Sequence, residues 1–413
     1  MAVVNKDIGT GVGSAGTGNV DTDGTTAVAS GSVATAFTSE LTAPGTIEIA
    51  SVLYDITSIT DDDNLVTVQT VPSGTNQLYN IGLRHYSEIT LWEADDGGGD
   101  GAGNDDCTGS AYNDTVFDET FTINFNANSI VLTVPSAERH DGTQGTGARI
   151  VRTSSGSIIT VSENPVTIEW LEIDGNGQTL NNILFFNFGD GTTNFAKNLI
   201  VHDATAGGAC HGIEGRPAIS TNCIVYNLNS SSGGAMGIGR PAATSGIVEI
   251  YNCTIHNITG STTSDGIKFH DASTKKARNC ISTDAIGGTD QSYNPSSPSN
   301  ATMDHNLASD TTASGTGSLN SKSAANQFVS TTGGSEDLHL KLGADAIDVG
   351  VDLGTIPTDV NISIPTPGFA DGYDRDVDPD GRAATWDMGA DEFDSSSGTI
   401  LPQAISSYYR VNA

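Results

Sequence analysis

The sequence predicts an all-β protein organised around a solenoid, a fold in which short strands recur at a near-constant distance along the chain. Five-residue runs that begin with Asn start at positions 198, 222, 252 and 279, so they lie 24, 30 and 27 residues apart. Pairs that end in Ile recur at 212–213, 237–238 and 266–267, which are 25 and 29 residues apart. Turn-forming residues are abundant, with 49 Gly among 413 residues. A repeat of roughly 20–30 residues is typical of solenoids.

The distribution of apolar residues predicts the type of solenoid. Short β-branched runs at 129–134, 148–151 and 158–161 precede the clear repeats, and polar corners separate them. Three short strands in a turn of roughly 22–30 residues is the arrangement of a right-handed parallel β-helix. Each turn then pairs its backbone with the turns above and below, ~4.8 Å away. We therefore assign residues 120–393 to a right-handed parallel β-helix.

The charge of the chain argues against several classes of partner. There are 50 Asp and Glu residues and 17 Lys and Arg, which gives a formal net charge of −33. Such a surface repels nucleic acid and anionic lipid, so we expect neither as a partner. No run of ~18 apolar residues is present, so we expect no membrane span. The first eight residues lack a basic segment followed by an apolar one, so we expect no secretory signal.

The first 82 residues predict an arm followed by a small β module. Residues 1–18 are rich in Gly, Ser and Thr, which indicates a flexible arm. Residues 19–82 contain alternating apolar and polar runs between positions 46 and 69, with an Asp-rich turn between two of them. With Phe37, Leu41 and Pro44 ahead of its strands, this unit resembles a small β module of bacteriophage virion proteins. The resemblance implies that the module attaches the chain to a particle.

Residues 83–119 predict a capping helix and an acidic loop. Tyr86, Ile89 and Trp92 recur every three residues after Ser87, which can serve as a helix N-cap. An open solenoid end exposes unpaired backbone and core, so a short amphipathic helix is expected to close it. The Gly- and Asp-rich run at 95–106 is consistent with a solvated turn or with a calcium site.

The end of the assigned β-helix carries four motifs, DLHLK at 337–341, AIDVG at 346–350, DRDVDPDGR at 374–382 and WDMGADEF at 386–393. This series resembles the terminal coils of right-handed parallel β-helix repeat proteins. That superfamily includes lyases, glycosidases, adhesins and phage tailspikes, so the resemblance implies a fold and leaves the activity open. Residues 394–413 begin with a Ser-rich linker and continue with an apolar segment, which we interpret as a docking tail.

Equivalent positions of a β-helix stack, so the recurring residues predict ladders. The first ladder contains one Asn from each repeat, and stacked side-chain amides hydrogen-bond along the axis. The second contains one Cys from each of three repeats, which we interpret as small buried hydrophobes rather than disulfides. Both are structural, and their members are Asn198, Asn222, Asn252, Asn279, Cys223, Cys253 and Cys280.

One stretch near the end of the chain has the spacing of a calcium loop. Asp376, Asp378 and Asp380 alternate before Gly381, and Asp387 stands at the twelfth position. Alternating carboxylates place oxygen atoms on one side of a tight turn, which suits Ca²⁺. The same Asp- and Gly-rich hairpin is also implied by the superfamily resemblance without any ion. Calcium is the one cofactor that the sequence predicts, and none is required.

The catalytic signals are weak. The segments around His211 and Lys268 resemble two segments of polygalacturonase-type β-helix glycosidases, but the paired aspartates expected upstream are missing. Glycosidases need two carboxyl groups that flank the scissile bond. The carboxylates that could meet across turns are Glu172, Asp174 and Asp203. Two Gly-Arg-Pro-Ala segments suggest an alternative, because their arginines could stack and bind an acidic sugar, as a lyase requires, or could simply pair with surface carboxylates.

These features favour a non-catalytic structural protein of a bacteriophage virion, placed on the particle surface as a capsid decoration protein or fibre, or as a tail fibre or spike. Residues 1–82 and 394–413 are expected to contact other virion proteins. Phage β-helices are often trimers, so a homotrimer is the expected assembly, with host surface polysaccharide as a further partner. The alternative is a polysaccharide-degrading lyase or glycosidase, free or as a depolymerising tailspike.

Overall fold

The fold is a parallel β-solenoid of about seven turns, as the sequence predicts. The computed structural model describes residues 3–11, 14–31, 33–41, 45–81, 84–99, 102–187, 194–216, 218–240, 247–270, 274–295, 301–353 and 385–393. Strands are numbered in chain order. Parallel pairing in every turn satisfies the backbone groups of short strands that have little apolar surface of their own.

Two parallel sheets form the walls of the solenoid. The first sheet contains β1 (Val3–Ile8), β10 (Asp106–Ala111), β13 (Ser129–Thr133), β16 (Val166–Glu169), β19 (Asn194–Lys197), β22 (Ala218–Thr221), β25 (Ile247–Tyr251), β27 (Thr274–Arg278) and β29 (Ala301–Asp304). The second sheet has two arms. Its first arm contains β11 (Val116–Phe117), β14 (Arg149–Val151), β17 (Glu172–Asp174), β20 (Ile200–Ala206), β23 (Ile224–Ser230) and β30 (Leu307–Ala308).

The second arm contains β12 (Phe121–Ile123), β15 (Ile159–Val161), β18 (Asn182–Asn187), β21 (Cys210–Arg216) and β24 (Gly234–Arg240). Two long strands, β26 (Thr254–Phe269) and β28 (Ile281–Asn294), run through both arms. A complete turn therefore contributes one strand to the first sheet and one to each arm. The inward-facing aliphatic side chains of all three walls form one continuous core.

The prediction that residues 1–18 form a flexible arm is wrong for residues 3–8. β1 pairs in parallel with β10 over six residues, so it forms the first strand of the solenoid. The solenoid consequently starts with β1 and resumes at residue 106, before the expected boundary at 120. The partner strand lies about a hundred residues later in the chain, and local composition carries no signal for so distant a pairing.

The β module is an antiparallel sheet in the order β2-β9-β5-β6-β7-β4-β3-β8. It has a core of its own, which includes Val20, Phe37, Ile47 and Tyr79. Contacts of Lys6 and His85 with Asp55 attach the module to the first turn of the solenoid. Its elements are β2 (Ser14–Ala15), β3 (Val20–Thr22), β4 (Ala27–Ser30), α1 (Phe37–Glu40), β5 (Gly45–Ile49), β6 (Val52–Asp61), β7 (Asn64–Thr67), β8 (Gly74–Gln77) and β9 (Tyr79–Ile81).

The predicted capping helix is present as α2 (Ile89–Ala94), and two 3₁₀ turns lie at Asp96–Gly98 and Ser136–Glu138. Trp92 is fully buried and meets the ring of Phe125 edge to face at 5.4 Å. The expected cap by Ser87 is wrong. The carboxylate of Glu119 instead accepts the first helical N–H groups, from Ile89 at 2.9 Å and from Thr90 at 2.7 Å. A buried carboxylate is a stronger acceptor for these orphan donors than a hydroxyl group.

The expectation that the DLHLK motif forms a terminal coil of the solenoid is wrong. α3 (Ala324–Gln327) leads into an antiparallel hairpin of β31 (Phe328–Thr332) and β32 (Ser335–Leu340), which pairs with neither sheet of the solenoid. This hairpin and residues 344–347 and 385–393 are together called the cover. The cover packs on the outer face of the first arm, except that Trp386 packs against Phe195, Ile219 and Tyr251 of the first sheet. Outward-facing apolar residues explain the contact, because they need burial: Ile200, Ile224, Tyr226, Ile281 and Leu307 pack against Phe328, Leu338, Leu340 and Met388.

Candidate functional site

The carboxylates that the sequence pointed to meet around one histidine on the outer face of the first arm. Parallel register places Asp174 of β17 beside His202 of β20. The ring atom Nε2 of His202 lies 3.1 Å from Glu172 Oε1, and Nδ1 lies 3.0 Å from Asp203 Oδ2. Asp174 Oδ1 is 3.8 Å from the same Nδ1. The three carboxylates and the imidazole therefore form one polar cluster, here called the His202 cluster.

The protonation of His202 follows from these contacts. Burial alone would lower its pKa, but hydrogen bonds with Asp203 and Glu172 raise the pKa of His202 to about 9. The ring also stacks on Tyr226 with 4.9 Å between centroids and an interplanar angle of 2°. His202 is thus a positively charged imidazolium at neutral pH, held between carboxylates and unavailable as a general base.

The His202 cluster is closed to a substrate. The side chains of His202 and Glu172 are each 2% exposed, and Glu172 Oε2 also accepts the backbone N–H of Gly145 at 2.6 Å. Three potential ligand atoms lie within 4.8 Å of one another, one each from Glu172, Asp174 and His202, and this is the spacing of a metal site. The chemistry open to the cluster is therefore charge pairing or ion binding rather than turnover of a polymer.

A second polar group lies on the outer face of the second arm. His211 Nδ1 lies 2.7 Å from Glu214 Oε2, and their side chains are 11% and 15% exposed. Two turns further along, Lys268 Nζ lies 2.6 Å from Asp265 Oδ2. His211 aligns with Met236, which in turn aligns with Asp265, so the two pairs are separated by two strand spacings, roughly 9–10 Å. The two segments that resemble the glycosidases thus share one face.

The repeat positions stack as their spacing requires. The four ladder asparagines are buried and have φ of 49° to 56°, a left-handed conformation that Asn tolerates at the corner between two walls. Asn279 Nδ2 donates to Asn252 Oδ1 at 3.1 Å, but neither side-chain polar atom of Asn222 has a hydrogen-bond partner among the described residues, so the amide ladder does not continue through Asn222. Cys223, Cys253 and Cys280 are free, buried thiols, and burial raises the pKa of Cys253 well above its usual value. These positions form the corner and core of the solenoid.

The sequence reasoning missed a second ladder. Five residues after each ladder Asn stands another residue with φ near 54°, which bends the first arm. Asn227 Nδ2 donates to Asp203 Oδ1 at 2.8 Å, and Asn257 Nδ2 donates to Asn227 Oδ1 at 2.7 Å. The constant offset of five residues was the available signal. The members of this second ladder are Asp203, Asn227, Asn257 and Asp284.

The predicted calcium loop lies mostly outside the described residues, which do not include Asp376, Asp378 or Asp380. Asp387 is 2% exposed, and its two carboxylate oxygens accept the backbone N–H groups of Asp348 at 2.6 Å and Phe393 at 2.7 Å. Asp387 therefore organises the chain within the cover. Calcium binding by the loop stays a prediction, as does calcium binding by the acidic loop at 95–106.

The suggested arginine stack is wrong. Glu214 aligns with Gly239, which places Arg240 level with Gly215 rather than with Arg216. Arg240 is also 2% exposed, so its side chain lies inside the protein rather than on a surface that could meet a sugar. None of the helices in the described ranges has the length and hydropathy of a membrane span.

Comparisons with known proteins do not assign the chain. No family model matches it, and no curated protein matches it. Its function therefore has to be inferred from the fold, from the two polar groups and from the resemblances carried by its motifs.

Proposed function

We propose that the chain is a structural protein on the surface of a bacteriophage particle, as a capsid decoration protein or fibre, or as a tail fibre or spike. The observation that carries the proposal is the closure of the first arm by the cover. An enzyme that acts on a polymer needs an open groove with reachable acids and bases. Here the outer face of the first arm is occupied by the chain itself, and its charged groups bind one another. A self-covered rod suits a scaffold.

The β module is the proposed attachment part. Lys6 and His85 contact Asp55 at 3.2 and 2.7 Å, so the module is fastened to the first turn of the rod. Leu78 stands 77% exposed on this module, where Val33, Val52 and Val68 are also at least half exposed, and these apolar side chains suit a contact with another virion protein. Residues 394–413, which lie outside the described residues, are proposed as a second contact. A homotrimer and binding of host surface polysaccharide belong to the same proposal.

Binding to purified particles tests the proposal. Particles that lack the chain would be incubated with the purified protein and sedimented. We expect the protein to sediment with the particles, and Leu78→Asp to bind less. Leu342→Asp is the matched control, because Leu342 is 83% exposed in the connection that follows the hairpin, away from the module. The protein content of purified wild-type particles would also be measured by mass spectrometry. Absence of the chain from these particles would refute a virion role.

The polar group on the second arm favours a second candidate, a polysaccharide-acting protein. Glu214 is 15% exposed and carries His211 as a basic partner, while Asp265 pairs with Lys268 and is 1% exposed. A sugar could therefore reach the two carboxyl groups that glycoside hydrolysis requires only if the side chains over Asp265 moved. Asn294 Nδ2 also donates to Asp265 Oδ1 at 2.7 Å, which fixes that carboxylate. The face that carries them is distinct from the face that the cover occupies.

Release of reducing ends from a panel of acidic polysaccharides tests the second candidate. An active wild-type protein that loses activity in Asp265→Asn and in Glu214→Gln would establish it. Glu138→Gln serves as the control, because Glu138 lies in a 3₁₀ turn outside both polar groups. Wild-type protein without activity on any polymer of the panel supports the scaffold.

A further inference from the structure

Glu336 is a buried acid without a full set of partners. It stands in β32 of the cover, over the first arm of the solenoid, and is 5% exposed. Its Oε1 accepts a hydrogen bond from Asn227 Nδ2 at 2.7 Å. Its Oε2 is buried and has no hydrogen-bond partner within the part of the chain that the structure describes. A buried carboxylate oxygen without a partner is costly, because it has lost its water and gained nothing in return.

The same amide group brings a second carboxylate to this place. Asn227 Nδ2 also donates to Asp203 Oδ1 at 2.8 Å. The two acceptor oxygens, of Glu336 and Asp203, are therefore at most about 5.5 Å apart, the sum of the two distances to the shared nitrogen. The Asn227 amide bridges the two oxygens with N–H donors but carries no net charge, so two ionised carboxylates at this distance still repel each other unless a cation binds close to them. One belongs to the solenoid and the other to the cover.

The surrounding charges do not balance. Four acids meet here, and their charged basic partner among the described residues is His202; His256 also lies near Glu336, but burial lowers the pKa of His256, so its imidazole is neutral at neutral pH. The nearby His256 faces Asp284, at 3.7 Å, and Thr283. A surplus of negative charge in a mostly buried cluster calls for a bound cation or for protons. The four acids are Glu172, Asp174, Asp203 and Glu336.

We propose that a Ca²⁺ ion binds carboxylates of both Asp203 and Glu336, with the unpartnered Oε2 of Glu336 as one ligand, and fastens the cover to the solenoid. Ca²⁺ takes six to eight oxygen ligands in flexible geometry, which suits carboxylates from two separate segments completed by water. His202 is not a ligand, because carboxylates occupy both of its ring nitrogens. The Asp203 side chain is 33% exposed, which leaves the ion a path from solvent. The inference does not depend on the proposed function.

Amide exchange of the full chain, with CaCl₂ or with EDTA, tests the site. With Ca²⁺ at 100 times its dissociation constant, the equilibrium constant for opening of the cover is expected to fall ~100-fold. Glu336→Gln is expected to abolish this response. In EDTA the same variant is expected to protect β31 and β32 at least as well as the wild type, because it removes a repelled charge. If Glu336 only stabilised the cover through its hydrogen bond, Glu336→Gln in EDTA would instead make the amides of β31 and β32 exchange faster than in the wild type.

A second variant separates this site from the Asp-rich loop. Asp378→Asn removes a carboxylate from the loop with calcium spacing and is expected to leave the response of the cover intact. A wild-type cover without a Ca²⁺ response would overturn the proposal, as would a response that survives in Glu336→Gln. Protection by Zn²⁺ but not by Ca²⁺ would also overturn it, because that preference requires His202 as a ligand.

Discussion

Truncation of Phe328 is the sharpest probe of how the cover is held. Phe328 is 1% exposed and packs on outward-facing residues of the first arm, with its ring 6.1 Å from that of His256. Removal of a buried Phe side chain costs about 3–5 kcal/mol. The apolar cluster that contains Phe328 shares no residue with the core inside the solenoid. We therefore expect Phe328→Ala to release the cover while the solenoid stays folded.

Hydrogen exchange measured by mass spectrometry gives the size of this effect. Since ~1.4 kcal/mol corresponds to a factor of ten, the opening constant of the cover is expected to rise roughly 100- to 4,000-fold. Amides of β31 and β32 should exchange faster, while amides of β13 and β16 in the first sheet, which the cover does not contact, should not change. Val329→Ala, at a 56% exposed neighbour, is the control and should have little effect. Unchanged exchange of the cover, or equal acceleration in the first sheet, would refute the reasoning.

Three further predictions concern the solenoid and its cap. His140 is buried, with hydrogen bonds at both ring nitrogens, and burial lowers its pKa to about 4. The neutral His140 contributes its full stabilisation above pH ~6.5, and up to ~3 kcal/mol of the free energy of unfolding is lost as the pH falls towards 4. His140→Gln should make the free energy of unfolding, measured by urea denaturation, depend less on pH in this range. Asn252→Ala should destabilise the solenoid by ~1–2 kcal/mol more than Asn252→Gly, because Ala is strained at φ of 49°, and equal urea midpoints would contradict this. Glu119→Ala should destabilise the capping helix by ~1–2 kcal/mol, seen as faster amide exchange in α2, with a smaller effect in Glu119→Gln, which keeps one acceptor.

The solenoid could be predicted because its signals are local and repeated. Asn at 198, 222, 252 and 279 marks a corner that needs a left-handed residue, and the structure has positive φ at each of them. The interval between the marks gives the length of a turn, and parallel pairing then follows for the whole region. The helix at 89–94 was predictable for the same reason, since its apolar residues recur at helical spacing.

The cover could not be predicted from alternation alone. Ile200 faces outward and Val201 faces the core, yet both are β-branched residues in one strand, so the sequence does not show which side needs a partner. The DLHLK motif alternates in the same way in a coil and in an antiparallel hairpin. Glu336 gave no signal either, because its role depends on Asp203, which lies in a distant turn. The His202 cluster was partly foreseen, since the spacing of its carboxylates allowed a meeting across turns.

The location of the protein tests the central claim most directly. Antibodies against the purified chain would be applied to intact phage particles and followed by electron microscopy with gold labels. The proposed function predicts labels on the particle surface, at the capsid or the tail. Unlabelled particles, together with a free protein that releases reducing ends from an acidic polysaccharide, would contradict it and support the enzyme.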